Sequence, residues 1–280
     1  MRDPDRHEGA RISCARSDRA ENVRGGGSSQ TRDSGDPRRN DVYPGARVLL
    51  MFPFYNEEDK LREWADRLNL PVADKVIAVN DGSTDGGPDY LRSLGIEVLD
   101  QPRRGIGSCI RRCVHYGRDH GFDVLVVMAG NGKDDPAEVP RLVEPILHEG
   151  ADYVQGSRFL PGGGSPNLPL FRRISIRLLS LLFSLSRGRR CTDLTNGFRA
   201  YRIGLLDDPL IDIEQDWLDT YELEYYLHWK AYALGYEVAE VPVTKRYPGR
   251  RGVEYTKIRP VTGWWRMMRP LVLLELGIRK

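Results

Sequence analysis

Two hydrophobic rhythms alternate along the chain from Arg47 onward. Short apolar tracts at residues 48–51, 76–80, 96–99, 124–128 and 153–156 are too brief for helices and predict strands buried on both faces. Between them the spacing lengthens to that of a helix. Residues 57–70 place Leu61, Trp64 and Leu68 on one face, residues 106–120 form a helix entered through Gly105, and another helix starts near Pro136. The run Asp81, Gly82, Ser83, Thr84, Asp85 ends the second strand as a turn. Strands alternating with amphipathic helices predict an α/β fold, a mostly parallel sheet with helices on both faces. In such sheets ligands sit beyond the carboxyl ends of the strands. The polar residues that follow each strand are therefore the ones to weigh: Asn56 and Glu57, Asn80 and Asp81, residues 131–135, Ser157 and Arg158.

The pattern changes in the second half. Residues 170–186 read as an amphipathic helix, with Arg172, Arg173 and Arg177 beside Ile174, Leu178, Leu181 and Leu182. Residues 217–234 form a helix with an acidic start, and 238–243 a strand, placed at an edge by Pro242. The end, 263–280, mixes Trp264, Trp265, Met267, Met268 and leucines with Arg266 and Arg269, a further C-terminal amphipathic helix. Residues 1–40 hold seven apolar residues and a Gly/Ser run, too little to offset the entropy of ordering, so they are expected to be disordered. The division is then a tail at 1–40, a main domain at 41–245 and a basic acceptor or membrane-surface segment at 246–280. There is no internal repeat.

Composition narrows the class. The chain has 280 residues, 40% apolar and 29% charged, which excludes a disulfide mini-protein, a fibre and a polytopic membrane protein. Its net charge of +2 conceals a segregated distribution. Residues 191–244 carry eleven acids and three bases, whereas 245–280 carry ten bases and two acids. Cys14, Cys109, Cys113 and Cys191 form no CxxC pair and read as reduced and structural, as in a cytoplasmic protein. No apolar run approaches the roughly 18 residues of a membrane span, and no signal sequence opens the chain. The basic residues lack an aromatic-interleaved platform, which argues against nucleic acid as a partner.

Several motifs carry candidate chemistry. Pro53, Tyr55, Asn56, Glu57 and Glu58 join the first strand to a helix opening with two acids. Those acids suit the helix dipole, or Tyr55 and Glu57 form a slot for a nucleotide base. Asp81 at a strand end suits a ribose hydroxyl or a base N–H, although 81–85 is equally a good tight turn. Further along come Arg103, Gly105 and Gly107, then Gly156-Ser157-Arg158, then Asn196-Gly197-Phe198-Arg199, then Glu240–Val243. In this order the motifs resemble family-2 glycosyltransferases of GT-A (Rossmann-like) fold, within them the polyprenyl (dolichyl) phosphate glycosyltransferase branch without its transmembrane helices. The resemblance runs from about Arg47 to Lys280.

The resemblance implies transfer of a sugar from a nucleotide-diphosphate sugar to an acceptor with inversion, the acceptor being a polyprenyl phosphate at the inner membrane face. By position Pro53, Tyr55, Glu57, Asp81 and Gly105 would bind the nucleotide, and Arg158 would face a phosphate. Asp193, Arg199, Arg251 and Lys257 would meet the acceptor. One departure stands out. Where the family writes Asp-x-Asp-x-Gln to hold a divalent cation, this chain has Ala129, Asn131 and Lys133, a local change of +3 in formal charge. Either Lys133, beside Asn131, stands in for the metal, with no cofactor required; or Asp134 and Asp135 bind Mg²⁺ or Mn²⁺ from a shifted position; or the chain is a non-catalytic nucleotide-sugar binder. Asp134 and Asp135 also suit the first turn of the helix at Pro136. Glu222 and Asp216 are candidates for a general base, which a phosphate acceptor would not need. Residues 170–190 hold six Arg and no acid, a pattern that suits an anionic membrane surface. A soluble transferase acting on a glycan or small metabolite remains the other enzymatic reading.

Overall fold

The computed structural model describes residues 45–69, 73–247 and 262–279, and for 69 and 262–268 the backbone alone. The expected disordered tail, Cys14, and the basic residues Arg250, Arg251, Lys257 and Arg259 lie outside the described residues. Seven strands form one sheet: β1 (Val48–Phe54), β2 (Lys75–Asp81), β3 (Glu97–Gln101), β4 (Val124–Val127), β5 (Tyr153–Ser157), β6 (Arg199–Arg202) and β7 (Val238–Pro242), in the order β3-β2-β1-β4-β6-β5-β7. All neighbours run parallel except β6, which is antiparallel to both β4 and β5.

The two-sided burial expected of the apolar tracts is present residue by residue. Leu49, Met51, Ile77, Val79, Leu125 and Val127 point into one core, with α3 (Ile106–Asp119) and α6 (Glu222–Ala233). Val48, Leu50, Phe52, Ala78, Val124 and Val126 point into the other. That second core is closed by α1 (Glu58–Trp64), α2 (Gly87–Ser93) and α4 (Val139–His148). Alternate residues of each strand therefore serve opposite layers, as the period-2 pleat requires.

Some elements differ from the expectation. Pro53 does not break its strand. It sits inside β1 opposite Val79, just past Met51, the last residue that β4 pairs. One side of the strand is an edge there, where a residue without an N–H is tolerated. The helix expected over 57–70 is α1 followed by a 3₁₀ turn at Ala65–Asn69, and α2 was not expected. β6 was also missed, because its sequence Arg-Ala-Tyr-Arg has no apolar run. Both arginines are buried and paired, Arg202 with the carboxylate of Asp152 and Arg199 with four oxygens described below.

α5 (Leu170–Arg187) lies in the excursion between β5 and β6. α7 (Thr262–Glu275) packs against α6, with Leu271 and Leu274 buried and Glu275 paired with Arg187. The described end of the basic C-terminal segment is thus built into the body of the domain. Among the described residues, no helix is long and apolar enough to cross a membrane. Cys109, Cys113 and Cys191 are buried free thiols, and burial raises the pKa of each.

The start of α3 packs on the backbone of 218–220 with no room for a side chain. A Cβ on Gly107 would lie 1.9 Å from the Leu218 carbonyl oxygen and 2.6 Å from that of Thr220. Gly107→Ala should therefore destabilise the fold by about 1–3 kcal/mol or more in urea titration. An unchanged midpoint would show that the contact relaxes without cost.

Candidate active site

At the carboxyl ends of β1 and β2 two loops are laced together by side chains. The Asn56 carbonyl oxygen accepts the Thr84 amide at 2.8 Å, and the Asn56 amide donates to Ser83 Oγ at 3.0 Å. Asn56 does this from a left-handed conformation (φ 48°), which asparagine tolerates better than most residues. Glu58 and Asp85 cap reciprocally. The Glu58 amide donates to Asp85 Oδ2 at 2.9 Å, and the Gly86 amide to Glu58 Oε2 at 2.9 Å. Glu58 thus braces the second loop, a role beyond the helix-dipole reading.

Asp81 gathers a third loop into the same surface. Its carboxylate accepts the amides of Arg104 (2.9 Å) and Gly105 (3.0 Å to Oδ2) and the Gln101 side-chain amide (3.0 Å). Gly105 is there at φ 116°, a conformation glycine adopts freely. The adjacent Arg103 guanidinium lies 3.7 Å from the centroid of the Tyr55 ring. Pro53, Tyr55, Glu57, Asp81 and Gly105, expected to meet around a nucleotide, therefore share one surface. Asp81 and the Gly105 amide, however, satisfy each other, and Glu57 pairs with Lys60. What is offered to a ligand is the Arg103-capped Tyr55 ring and the rim around it.

Facing this surface is the loop after β4. Asn131 accepts the Lys133 amide at 3.3 Å and so shapes the turn that presents Lys133. Asp134 is 2% exposed. Its carboxylate accepts from Lys245 Nζ at 2.8 and 3.0 Å and from the Ala129 amide at 3.0 Å. Asp135 caps the turn at Pro136 by accepting the Ala137 amide at 3.2 Å. Of the two acids of the shifted metal reading, Asp134 is thus committed to the protein and Asp135 holds the turn through one of its oxygens. The Lys133 ammonium is half-buried, 5.6 Å from the Tyr247 ring centroid. Burial lowers its pKa to about 8, helped by Lys245, Lys60 and Arg172 and opposed by Glu57.

Arg158, Asp193 and Arg199 are not where a phosphate or acceptor would meet them. Arg158 donates from Nε and Nη2 to both Asp193 oxygens at 2.6 Å, from Nη1 to Tyr247 Oη at 2.6 Å, and to Thr195 Oγ1 at 2.8 Å. Both partners of this pair are buried, so the guanidinium has no face left for a ligand. Arg199 donates to the Asn196 carbonyl (2.7 Å), the Leu194 carbonyl (3.0 Å), Tyr153 Oη (2.9 Å) and the Glu224 carbonyl. It is a buried staple that holds the first turn of α6.

That turn carries the acid the sequence reading passed over. Asp216 is exposed, and Glu222 bonds the Thr220 hydroxyl at the surface. Glu224 is 8% exposed, and its Oε1 has no hydrogen-bond partner. Burial raises its pKa, with Arg199 and Lys245 pulling the other way. The Tyr221 side chain is half exposed, and its pKa is raised by desolvation and then by the charges of Glu224 and Glu57. The unpaired Glu224 oxygen is itself buried, and a Cβ on Gly197 would lie 2.8 Å from it. Helical spacing did not mark it, because α6 is buried at every position from Leu223 to His228 and no single inward stripe sets Glu224 apart.

The comparisons with known proteins can be set against this geometry. Residues 50–209 match the model of the family described as glycosyl transferase family 2. The chain belongs to glycosyl transferase family 2. This family 2 chain is 34% identical over 208 residues to an undecaprenyl-phosphate mannosyltransferase of Micrococcus luteus, covering 71% of this chain and 83% of the relative. It is 30% identical over 211 residues to a polyprenol monophosphomannose synthase of Mycolicibacterium smegmatis, covering 72% and 78%. Among solved structures it resembles glucosyl-3-phosphoglycerate synthase of Mycobacterium tuberculosis, crystallised with Mn²⁺, UDP and glucosyl-3-phosphoglycerate. The TM-score is 0.59 at 20% identity, covering 84% of this chain and 82% of that one, a likeness of fold. The fold is GT-A, and the family 2 chain is a glycosyltransferase.

The Lys133 shift fixes a pH dependence of folding. Its folded value, about 8, lies below the ordinary 10.5, so between those values the unfolded chain binds more protons and stability rises with pH. Below about pH 8 the full penalty of the buried charge applies. Unfolding free energy measured at pH 7.5 and 9.5 should therefore increase for the wild type relative to Lys133→Met. A difference independent of pH would contradict the assignment.

Proposed function

We propose that the chain transfers a sugar from a nucleotide-diphosphate sugar to a polyprenyl phosphate at a membrane surface. The observation that carries this reading is the outer face of α5. Leu170, Phe171, Ile174, Leu178, Leu181, Leu182 and Leu185 are 53–71% exposed along one stripe, while Ile176, Leu179, Ser180 and Phe183 face the protein. Seven large apolar side chains on one helix are more than a solvated surface ordinarily carries, and arginines flank them. That combination is how a helix lies in a lipid interface. A cleft of about 570 Å³ runs along the helix, with Leu181 and Leu185 beside Arg177, Arg189 and Arg190. Such a lining suits an isoprenoid chain below and a phosphate at the rim.

The charge of Arg172, near the start of α5, is among those that lower the Lys133 pKa. The names of the relatives support the same acceptor class: one carries undecaprenyl phosphate as the group mannosylated, and the other is named for its product, a polyprenol monophosphomannose. A phosphate acceptor is already an anion, so the reaction asks for orientation and charge balance more than for a strong base.

The test is transfer from radiolabelled UDP-, GDP- and dTDP-sugars to polyprenyl phosphate in anionic vesicles. Leu178→Asp with Leu182→Asp should cut vesicle co-sedimentation more than tenfold, since each buried leucine contributes about 1.5–3 kcal/mol. Transfer to a short-chain, water-soluble prenyl phosphate should persist. Unchanged vesicle binding, or product formed only on a soluble sugar, would favour the glycan or metabolite acceptor instead.

A further inference from the structure

The solved neighbour of this fold was crystallised in complex with Mn²⁺ and UDP. The corresponding loop here does not fit such an ion. A hard divalent cation wants several oxygens, carboxylates above all. Ala129 has none to give, Asn131 Oδ1 is engaged by the Lys133 amide, Asp134 is filled by Lys245 and the Ala129 amide, and Asp135 is a cap. Among the described residues, no three His, Cys, Asp or Glu side chains are grouped so that they could share a cation. An entering ion would have to displace Lys245 and then sit among Lys133, Lys245, Lys60 and Arg172. Like charges in a partly buried site repel one another, and the ion is doubly charged.

The same features that reject a cation suit its counter-ion. Lys245 is anchored on Asp134 and on Asn196 Oδ1 at 3.2 Å, and the Arg246 amide donates to the Lys133 carbonyl at 2.8 Å. The segment after β7 thus clamps the loop from above, with the Lys133 ammonium 5.6 Å from the Tyr247 ring centroid and near enough to Glu57 and Lys60 for their charges to act on it. We propose that this chain grips the diphosphate of its donor without a divalent cation, through the Lys133 ammonium on the phosphate oxygens, with the Lys245–Asp134 pair fixing the loop that presents it.

This rests on the nucleotide-sugar donor of the proposed function. In the transfer the bond between the sugar C1 and the diphosphate oxygen breaks, and its electron pair stays on that oxygen. An oxygen of the acceptor phosphate forms the new bond to C1, and the nucleoside diphosphate departs. Lys133 balances the charge that gathers on the departing oxygen, the service a metal gives elsewhere. The lowered pKa agrees with this placement, since an incoming anion relieves the crowding of cations.

The test is calorimetry on the full chain with UDP, GDP and dTDP, each in excess EDTA and then with Mg²⁺ or Mn²⁺, and with the matching free nucleosides. At least one diphosphate should bind in EDTA, with affinity changed less than about threefold by either metal, and Mn²⁺ alone should give no binding heat. Lys133→Gln should weaken that diphosphate by about tenfold or more, the scale of one charge-assisted contact, with little effect on the nucleoside. Lys133→Arg should recover most of the loss, which separates lost charge from lost folding. Binding that appears only with metal, or a Lys133→Gln protein that binds as the wild type does, overturns the proposal. If no diphosphate binds under any condition, the donor reading falls and this inference falls with it.

Discussion

The ion pair between Asp134 and Lys245 joins the loop after β4 to the segment after β7, far apart in sequence and on either side of β6 and β5 in the sheet. Taking both charges out of water costs several kcal/mol per ion, and the pair holds only because other groups complete it. The Ala129 amide supplies one bond to the carboxylate and Asn196 Oδ1 takes one from the ammonium. Breaking such a pair from one side typically costs about 3–5 kcal/mol. Much else leans on it: the presentation of Lys133, the path of residues 243–247 past 164–166, and through Tyr247 the burial of Arg158.

A second polar layer lies beneath the cleft. Arg158, Asp193, Arg199, Tyr153 and Asn196 are buried and bonded to one another or to backbone. Such a network, fully satisfied, specifies one arrangement of the loops above it. Glu224 lies beside this network with one buried oxygen that has no hydrogen-bond partner. An unsatisfied buried carboxylate is costly to keep charged, and burial raises its pKa accordingly.

Much of this was legible in the sequence. The apolar tracts that became β1, β2 and β4 could be buried only on both faces, which dictated a parallel sheet, and the loops at their carboxyl ends could be named in advance. Tyr55, Asp81, Gly105 and Lys133 all stand at the expected end of the sheet. β6 was not legible, because two buried arginines masquerade as surface residues until Asp152 and Tyr153 are seen beside them. Arg158, Asp193 and Arg199 were misassigned for the same reason. A charge in a motif looks like a ligand contact, and only its partners show that it is structural. Glu224 was hidden among acids that do face water.

β5 and β6 are antiparallel neighbours, the arrangement a tight hairpin would make, yet the chain leaves at Ser157 and returns at Arg199 only after carrying α5. The Arg158–Asp193 pair closes the base of this excursion, as a cross-link would. α5 is held from its inner side as well, where Leu179 and Phe183 pack with Tyr225 and Tyr232 of α6 and Leu271 of α7, so the helix that exposes the apolar stripe is itself anchored in the core of the domain.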